Sequence, residues 1–582
     1  MNTAMPIGKD DFKELRDGGY YFVDKSETIA KLIDHPAEVT LFTRPRRFGK
    51  TLLMSMVRYF LDIEDAETHR NLFDGLKITE NPVAMAQQGT RPVLFLTLKE
   101  WKTNTWNKMQ QVIMDALGQI FDEHEFLLQA ETVTRRERMI FEKIQFGEAN
   151  LMTCRTALAF LLRLMEKYYG KKPVLLLDEY DVPIQMAWEH DFYDDAIDFF
   201  REFLSAALKT NPSLDFAVLT GVLRISKESI FSDLNNLKVD SVLRTQYPEA
   251  FGFTPQEVEN LANDIGHADK LAELRDWYDG YRFDGRDIYN PWSVLNYFDN
   301  GCRPAAYWVN TSGNIILGEL LQHADREHME ALEGLFQGET VRGYLQEGVI
   351  YSDIEKDEDA LYTVLCMTGY LTIAQAHWNG MRWRYDLRLP NREMLVLFTT
   401  EVLKRFQKGM SRSSLEILME AFLRGDVNRV QKGLSNYLEV LTSTFDTAKS
   451  KESFYHGFVL GMTALLVPDY EVRSNRESGR GRYDVAVFPK RAGKAGMVLE
   501  FKTAESEAKL PAKAQEALAQ IAARDYDAEL HARGVTHVHH YGIAFCGKTV
   551  HVELEQPDKE MMNDHTGNKN RRKEAGAWGN AS

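Results

Sequence analysis

Short apolar runs separated by helical patterns organise the first 250 residues of the chain. Four of these runs predict buried strands, at residues 39–42, 92–98, 174–177 and 214–220. Directly after the first run, apolar side chains recur at helical spacing, at Leu52, Leu53, Met56, Val57, Phe60 and Leu61. Strands that alternate with helices are typical of an α/β domain with a mainly parallel sheet.

The pattern changes four times after this first segment, residues 1–250. Residues 251–325 are rich in aromatic side chains, which either stack on bases or pack as the core of a small helical lid, and we favour packing. Residues 326–445 predict a helical connector with a short strand-rich patch, and residues 446–556 predict a helix followed by paired strands. Residues 557–582 are polar without periodicity and predict a disordered tail.

The composition is that of a globular protein, with 44% hydrophobic and 27% charged residues over 582 positions. A chain of this length is longer than a single hydrophobic core can accommodate, so its length predicts several domains. The net charge of -16 argues against a general coating of nucleic acid but leaves room for a local basic groove. The four cysteines lack C-x-x-C spacing, and no apolar run approaches the ~18 residues that span a bilayer. We therefore expect a soluble cytoplasmic protein without membrane association.

A candidate phosphate-binding loop joins the first predicted strand to its helix. The stretch RPRRFGKT places Gly49, Lys50 and Thr51 as in the pattern G-x-x-x-x-G-K-[ST]. In that pattern backbone N–H groups cradle phosphate, the lysine reaches the β- and γ-phosphates, and the hydroxyl ligates Mg²⁺. The position of the first glycine is occupied by Arg44, so the pattern is incomplete. The alternative is a solvated basic patch, made of Arg44, Arg46, Arg47 and Lys50.

Carboxylates at the end of the third predicted strand are the expected partners of that loop. Asp178 and Glu179 follow four apolar residues, at the edge where ligands of open α/β sheets bind. Asp178 would hold Mg²⁺, directly or through water, and Glu179 would polarise the water that attacks the γ-phosphate. Thr220 could sense the γ-phosphate and Arg224 could supply charge to the transition state. A polar strand end and a surface salt bridge explain these last two residues equally well.

A second group of candidate residues lies in the paired strands after residue 480. Glu500 and Lys502 share one face of the strand GMVLEFKT, and a hairpin can bring Asp484 beside Glu500. Two carboxylates holding Mg²⁺, with a lysine that orients the attacking water, would hydrolyse a phosphodiester. The alternative is a solvated salt bridge. Basic residues nearby would supply phosphate-binding charge, namely Arg473, Arg476, Arg480, Arg482, Lys490, Arg491 and Lys494.

Long stretches of the chain resemble known families. TLFTRPRRFGKTLLMSM, LLLDEYDVPI and LDFAVLTGVLRISKESIFSDLNNL resemble, in this order, the AAA-ATPase-like family of mostly bacterial proteins. ESGRGRYDVAVF, VLEFKT and ALAQIAARDY resemble the PD-(D/E)xK nuclease domain that accompanies it. The resemblance implies an α/β multidomain fold with a P-loop NTPase parallel sheet, a helical lid and connector, and a restriction-endonuclease-like α/β/α domain. It also implies that the arginine at position 44 is the family's own form of the loop.

By position, the resemblance carries over the phosphate-loop lysine and hydroxyl, the strand-end acids and the nuclease motif. These fall on Lys50, Thr51, Asp178, Glu179, Asp484, Glu500, Lys502 and the helix residue Gln520. We add Arg47, Gly49, Thr220 and Arg224 to the nucleotide-binding set. The expected catalytic residues are Glu179, Asp484, Glu500, Lys502 and Gln520, and the expected metal ligands are Thr51, Asp178, Asp484 and Glu500.

These features predict an ATP-binding, ATP-gated, metal-dependent nuclease, an ATPase coupled to a phosphodiesterase, with ATP and Mg²⁺ as cofactors. We expect DNA in preference to RNA as the partner, in defence or repair, and leave homo-oligomerisation open. The alternative is a nucleotide-switched nucleic-acid-binding or signalling protein without cleavage activity. Such a switch has no need of a catalytic base at Glu179.

Overall fold

The structure is a computed structural model in which most of the chain is described. The described residues are 4–34, 37–225, 231, 235–308, 326–348, 357–406, 411–442, 461–462, 465–466, 469–474, 477–478 and 481–555. They form two compact units, of which unit 1 comprises residues 1–324 and 338–398 and unit 2 comprises residues 325–337 and 399–582. The five-segment division stays a prediction, and its tail, residues 557–582, lies outside the described residues.

Unit 1 contains two groups of strands. The first five are β1 Val39–Thr43, β2 Val93–Thr97, β3 Val174–Asp178, β4 Ala217–Gly221 and β5 Leu237–Asp240, and the others are β6 Tyr281–Phe283, β7 Arg286–Ile288, β8 Val341–Gly343, β9 Thr372–Trp378 and β10 Trp383–Arg388. Its α-helices are Phe12–Asp17, Glu27–Asp34, Lys50–Leu61, Ala66–Arg70, Pro82–Met85, Trp106–Glu123, Arg135–Gln145, Leu151–Cys154, Ala157–Tyr169, Val182–Glu189, Tyr193–Leu208, Pro255–Asp264, Leu271–Tyr278, Pro291–Asp299, Glu358–Thr368 and the start of Arg392–Phe406. Short 3-10 helices span Asn71–Phe73, Lys77–Glu80, Glu125–Gln129 and Ala268–Lys270.

The nucleotide-binding candidates belong to a parallel five-stranded sheet with the order β2-β3-β4-β1-β5. The central strands β1, β3 and β4 are buried along their whole length, which explains their continuous apolar sequences. All five strands run in the same direction, so β1, β3 and β4 end at one edge of the sheet. The phosphate loop and the acidic residues after β3 therefore lie at the same edge.

The fifth strand is absent from the sequence prediction. It is β5, which pairs with β1 through the register Val39 to Leu237. Its sequence LKVD is short, and its first three residues are only partly buried. The strand was missed for two reasons. Periodicity gives only a weak signal for such a short edge strand, and its pairing partner β1 lies almost 200 residues earlier in the chain.

The aromatic segment of unit 1 packs as a core. Tyr278, Tyr289 and Tyr297 are buried in one cluster with apolar residues of three helices, and Trp277 and Tyr307 pack against it. The packing interpretation of this segment therefore holds for these residues. Beyond it, strands β8, β10 and β9 form an antiparallel sheet in that order, and β6 pairs with β7 as a hairpin.

Unit 2 is built on a mixed five-stranded sheet with the order β11-β14-β15-β16-β17. Its strands are β11 Tyr470–Ser474, β12 Glu477–Ser478, β13 Gly481–Arg482, β14 Val485–Pro489, β15 Gly496–Thr503, β16 Val538–Cys546 and β17 Thr549–Leu554. Its α-helices are Arg326–Phe336, the end of Arg392–Phe406, Arg412–Arg424, Val427–Thr442, Leu510–Arg524 and Ala528–Ala532, with a 3-10 helix at Glu507–Lys509. The helix Leu510–Arg524 connects the parallel pair β15 and β16.

The two sheets agree with the predicted fold class, an α/β multidomain protein with a parallel N-terminal sheet and a mixed C-terminal sheet. That prediction is confirmed. Within the described ranges, no helix combines the length and the apolar character needed to cross a membrane.

Candidate functional site

The loop of residues 44–49 turns the chain from β1 into the twelve-residue helix Lys50–Leu61. Gly49 adopts a left-handed conformation with φ 85° at this turn, which a residue without a Cβ accepts at little cost. Lys50 is only 6% exposed, and its Nζ donates to the carbonyl oxygens of Arg44 at 3.0 Å and Pro45 at 2.9 Å. Burial lowers the pKa of Lys50, while the charges of Glu179, Asp181 and Asp178 oppose this shift.

Arg44, the residue in place of the first glycine, is fully buried and does not face the solvent. Its Nη2 donates to Asp240 Oδ1 at 2.5 Å and to Thr245 Oγ1 at 2.8 Å, and its Nη1 donates to the Asp240 carbonyl at 2.9 Å. The side chain thus connects the loop to the end of β5. The alternative of a solvated basic patch is wrong for Arg44 and Lys50, because both are buried within the sheet edge.

Three of the predicted nucleotide-site residues meet at the end of β3. Thr51 Oγ1 donates to Asp178 Oδ2 at 2.8 Å, and Thr220 Oγ1 donates to Asp178 Oδ1. Asp178 is fully buried, and burial raises its pKa although both hydroxyl hydrogen bonds favour the carboxylate. A buried carboxylate beside a hydroxyl at a helix N-terminus is the pair of oxygen ligands that a phosphate-bound Mg²⁺ requires.

The remaining predicted residues of this site have different surroundings. Glu179 has a left-handed φ of 53°, and its backbone N–H donates to Thr220 Oγ1 at 3.3 Å. Arg47 is exposed, and its guanidinium lies 4.2 Å from the centroid of the Trp292 ring. Arg224 lies 3.9 Å from Glu347. These two arginines therefore contact residues outside the predicted set.

The donor set at this edge fits a nucleotide with a divalent cation. The loop offers a buried lysine, the N-terminus of a twelve-residue helix, and the Thr51 hydroxyl bonded to the Asp178 carboxylate. Lys50 would hold the β- and γ-phosphates, and Thr51 with Asp178 would hold Mg²⁺. When bound, the cation supplies charge neutralisation between phosphate oxygens.

The second candidate site lies in unit 2, where β14 and β15 pair in antiparallel fashion. Val485 is opposite Leu499, so Asp484, one residue before β14, comes beside Glu500. Asp484 Oδ2 accepts the backbone N–H of Phe501 at 2.7 Å. The structure therefore brings together the two carboxylates that the sequence predicted as metal ligands.

Lys502 and Gln520 complete a closed network around Glu500. Lys502 Nζ donates to Glu500 Oε1 at 2.9 Å and to Gln520 Oε1 at 2.6 Å. Gln520 Nε2 donates in turn to Glu500 Oε1 at 2.5 Å and to the Tyr526 hydroxyl at 3.1 Å. Each member therefore orients the others, so that the lysine is held beside the carboxylate without free rotation.

Glu500 has the properties of a metal ligand. Its side chain is 3% exposed, and its Oε2 is buried without a hydrogen-bond partner among the described residues. Burial raises the pKa of Glu500 to about 7, and the charge of Asp484 adds to the rise. A divalent cation would satisfy the orphaned oxygen and relieve the repulsion between the two carboxylates, so the residues fit Mg²⁺. Among the described residues, no group of three or more His, Cys, Asp or Glu side chains forms a further metal site.

Comparison with known proteins matches both sites to families. Residues 6–231 match the family model described as predicted AAA-ATPase, and residues 450–555 match that of the PD-(D/E)XK nuclease superfamily. The chain carries an AAA-ATPase-like domain and a C-terminal PD-(D/E)XK nuclease superfamily domain. The resemblance found in the sequence motifs is confirmed. A relative described as an uncharacterized protein in the vnfD 5' region of Azotobacter chroococcum mcd 1 is 27% identical over 551 residues, covering 93% of this chain and 96% of that protein.

Two residues of the AAA-ATPase-like domain escaped the sequence analysis. Asp181 Oδ2 accepts the backbone N–H groups of Val222 at 2.7 Å and Leu223 at 2.9 Å. The Tyr180 hydroxyl donates to the Leu223 carbonyl at 2.6 Å and accepts the Ile225 N–H at 3.2 Å. Together they hold the segment that carries Arg224. The signal in the sequence was the second aspartate in DEYD, two residues after Glu179.

Arg473, one of the basic residues expected to supply phosphate-binding charge, differs from that expectation. Arg473 donates to Glu471 and Glu529, and Arg533 pairs with the same two carboxylates. Both guanidinium groups also lie over the Phe488 ring, at 5.1 and 4.6 Å. The Arg473 guanidinium is therefore engaged in ion pairs within the protein and is not available to bind phosphate. Arg476, Arg480 and the side chain of Arg482 lie outside the described residues.

Proposed function

We propose that the chain is an ATP-binding nuclease, in which the AAA-ATPase-like domain gates a Mg²⁺-dependent nuclease domain that cleaves DNA. The observation that carries the proposal is the closed network of Glu500, Lys502 and Gln520 beside Asp484. A structural salt bridge between Glu500 and Lys502 requires neither a second carboxylate beside Glu500 nor a buried Glu500 oxygen without a hydrogen-bond partner among the described residues.

In this proposal the chain's own residues divide the chemistry of phosphodiester hydrolysis. Asp484 and Glu500 hold the cation, which neutralises charge on the scissile phosphate when bound. Lys502, fixed by Gln520, orients the attacking water and counters the negative charge that develops in the transition state. At the nucleotide site, Glu179 polarises water for ATP hydrolysis and Lys50 holds the phosphates.

The nuclease assignment is tested by cleavage of plasmid, linear and single-stranded DNA, with RNA as a comparison, in Mg²⁺ or Mn²⁺. We expect Asp484→Asn and Lys502→Met each to lower the cleavage rate by at least about a hundredfold. The matched control is Lys509→Met, because Lys509 is exposed and pairs with the exposed Glu505 on the surface. Equal cleavage by all four proteins would refute the assignment and indicate a contaminating nuclease.

The role of ATP is tested separately by binding and turnover measurements. We expect Lys50→Ala to abolish ATP binding, and Glu179→Gln to retain binding but lose hydrolysis. ATP binding without turnover in the unaltered chain, together with DNA binding without cleavage, would favour a nucleotide-switched binding protein instead. DNA cleavage at the same rate with and without ATP would refute gating but not the nuclease assignment.

A further inference from the structure

A cavity of about 700 Å³ lies in unit 1 next to the β9–β10 hairpin. Its volume falls within the range of ligand-binding pockets, which is about 300–1,000 Å³. Four aromatic side chains contribute to its wall, namely Tyr344, Trp378, Trp383 and Tyr385. None of them belongs to the nucleotide site or to the nuclease site.

Two of these aromatic residues are unusually exposed for indole side chains. Trp378 and Trp383 lie opposite each other in the register of β9 and β10, with ring centroids 5.6 Å apart. Trp378 is 57% exposed and Trp383 is 50% exposed, and Met381 in the turn between them is 89% exposed. Single exposed apolar residues are common, but a cluster beside a cavity is typical of a binding surface.

One exposed carboxylate at the cavity rim can attract a cationic ligand. Among the described residues, three carboxylates line the cavity, Asp284, Glu347 and Asp359, together with the guanidinium groups of Arg244 and Arg382. Arg224 lies 3.9 Å from Glu347, at the limit of ion-pair contact, so the charges around the cavity balance when it is included. The Glu347 side chain is 64% exposed, so its carboxylate is accessible to a further cation, which it would attract.

One cation of the chain already uses an aromatic wall of the cavity. The Arg382 guanidinium lies 3.4 Å from the centroid of the Tyr344 ring, which is a close cation–π contact. Tyr344 is in turn fixed by its backbone N–H, which donates to Asp359 Oδ1 at 2.9 Å. The cavity thus combines oriented aromatic rings with carboxylates, the two features that recognise a planar guanidinium group.

We propose that this cavity binds an arginine side chain presented by a basic peptide segment of a partner protein. The arginine stacks on the exposed indoles of Trp378 and Trp383 and pairs with Glu347 at the rim. A planar guanidinium can stack and form an ion pair at the same time, which a lysine ammonium does less well. The proposal does not depend on ATPase or nuclease activity, although Glu347 also contacts Arg224 of the predicted nucleotide-binding set.

The test is fluorescence anisotropy with the full chain, using as probe a fluorescein-labelled peptide of alternating arginine and glycine in about 0.15 M salt. The same peptide with citrulline in place of arginine keeps the shape but removes the charge. We expect Trp383→Ala and Glu347→Gln each to weaken binding of the arginine peptide by about threefold to thirtyfold. The citrulline peptide should bind less tightly than the arginine peptide and respond little to Glu347→Gln.

Matched controls separate the cavity from general attraction to an acidic protein. Phe146 is an exposed aromatic residue and Glu148 an exposed carboxylate, and neither lines the cavity. Phe146→Ala and Glu148→Gln should leave peptide affinity unchanged. Equal affinity of cavity variants and control variants would overturn the proposal. So would binding of a short oligothymidylate that is lost in Trp383→Ala but not in Phe146→Ala, because the surface would then serve nucleic acid.

Discussion

Replacing Arg44 by glycine restores the residue of the common phosphate-loop pattern, yet we predict that Arg44→Gly destabilises the parallel sheet. The reason is that Arg44 is a fully buried connection between the loop and β5. Its Nη2 donates to Asp240 at 2.5 Å and to Thr245 at 2.8 Å. Asp240 is 2% exposed, so the substitution leaves a carboxylate buried without its cation.

The magnitude follows from that uncompensated charge. Removing one partner of a buried ion pair costs about 3–5 kcal/mol, because the desolvation of the other partner is no longer offset. The Arg44 guanidinium also lies 5.0 Å from the centroid of Phe251 and 5.2 Å from that of Phe283, and both contacts are lost. Replacing both charged partners, as in Arg44→Met with Asp240→Leu, should cost less than Arg44→Gly, since no buried charge remains.

The assay is hydrogen exchange of the backbone amides of β1 and β5, which reports local opening in a chain too large for two-state unfolding. We expect Arg44→Gly to lower protection there by about two to four orders of magnitude. The control is Arg47→Gly, since Arg47 is exposed with φ 68°, and its change should stay within about 1 kcal/mol. Unchanged protection in Arg44→Gly would refute the role assigned to the buried pair.

Four further predictions concern unit 2. A Cβ on Gly542 would overlap the Ala514 carbonyl, so Gly542→Ala should shift the helix that carries Gln520. We expect it to lower the hydrogen-exchange protection of that helix by an amount equivalent to about 1–3 kcal/mol, and to reduce cleavage more than the exposed control Ala519→Ser. Because the pKa of Glu500 is raised to about 7, protons compete with the cation for this carboxylate below pH 7. The affinity for Mn²⁺, measured by calorimetry, should therefore fall by up to about tenfold for each pH unit below 7. Glu500→Gln should remove this pH dependence. The same shift predicts that the contribution of Glu500 to stability without metal is fully present below its unfolded-state pKa of about 4.3 and is lost as the pH rises through about 7. Arg473→Ala should lower the melting temperature but leave the salt dependence of DNA affinity unchanged. Arg491→Ala should instead reduce the slope of the logarithm of DNA affinity against the logarithm of salt concentration by about one. The reverse result would show that Arg473 contacts phosphate.

Local patterns in the sequence were sufficient to predict the strand, turn and helix around Lys50 and the carboxylates at the strand end. Both features depend on residues within a few positions of each other, and the sheet then brings Thr51 and Asp178 together because parallel strands end at one edge. The same holds for Glu500 and Lys502, whose shared face follows from the two-residue period of a strand.

Features that depend on distant pairs could not be predicted in this way. Arg44 reads as one of four neighbouring basic residues, and its burial depends on Asp240, 196 residues further along the chain. Arg473 likewise reads as a free basic residue beside the nuclease strands, whereas its partner Glu529 lies 56 residues away. In both cases the sequence shows the charge but not the acceptor, and the acceptor decides whether the charge is available to a ligand.

The two candidate sites share one physical property that bears on both proposed activities. Lys50 donates to two carbonyl oxygens of its own loop, and Lys502 donates to Glu500 and Gln520. A lysine ammonium group has three N–H donors, so in the proposed functions each lysine can make one bond to phosphate or water beside these two. Each further new bond replaces an existing charge-assisted hydrogen bond, worth about 1.5–3 kcal/mol, and a lysine-to-methionine variant then understates the strength of the new contact. Comparing Lys502→Met with Gln520→Leu, which removes one of the two acceptors of Lys502, shows how much of the effect comes from that existing bond.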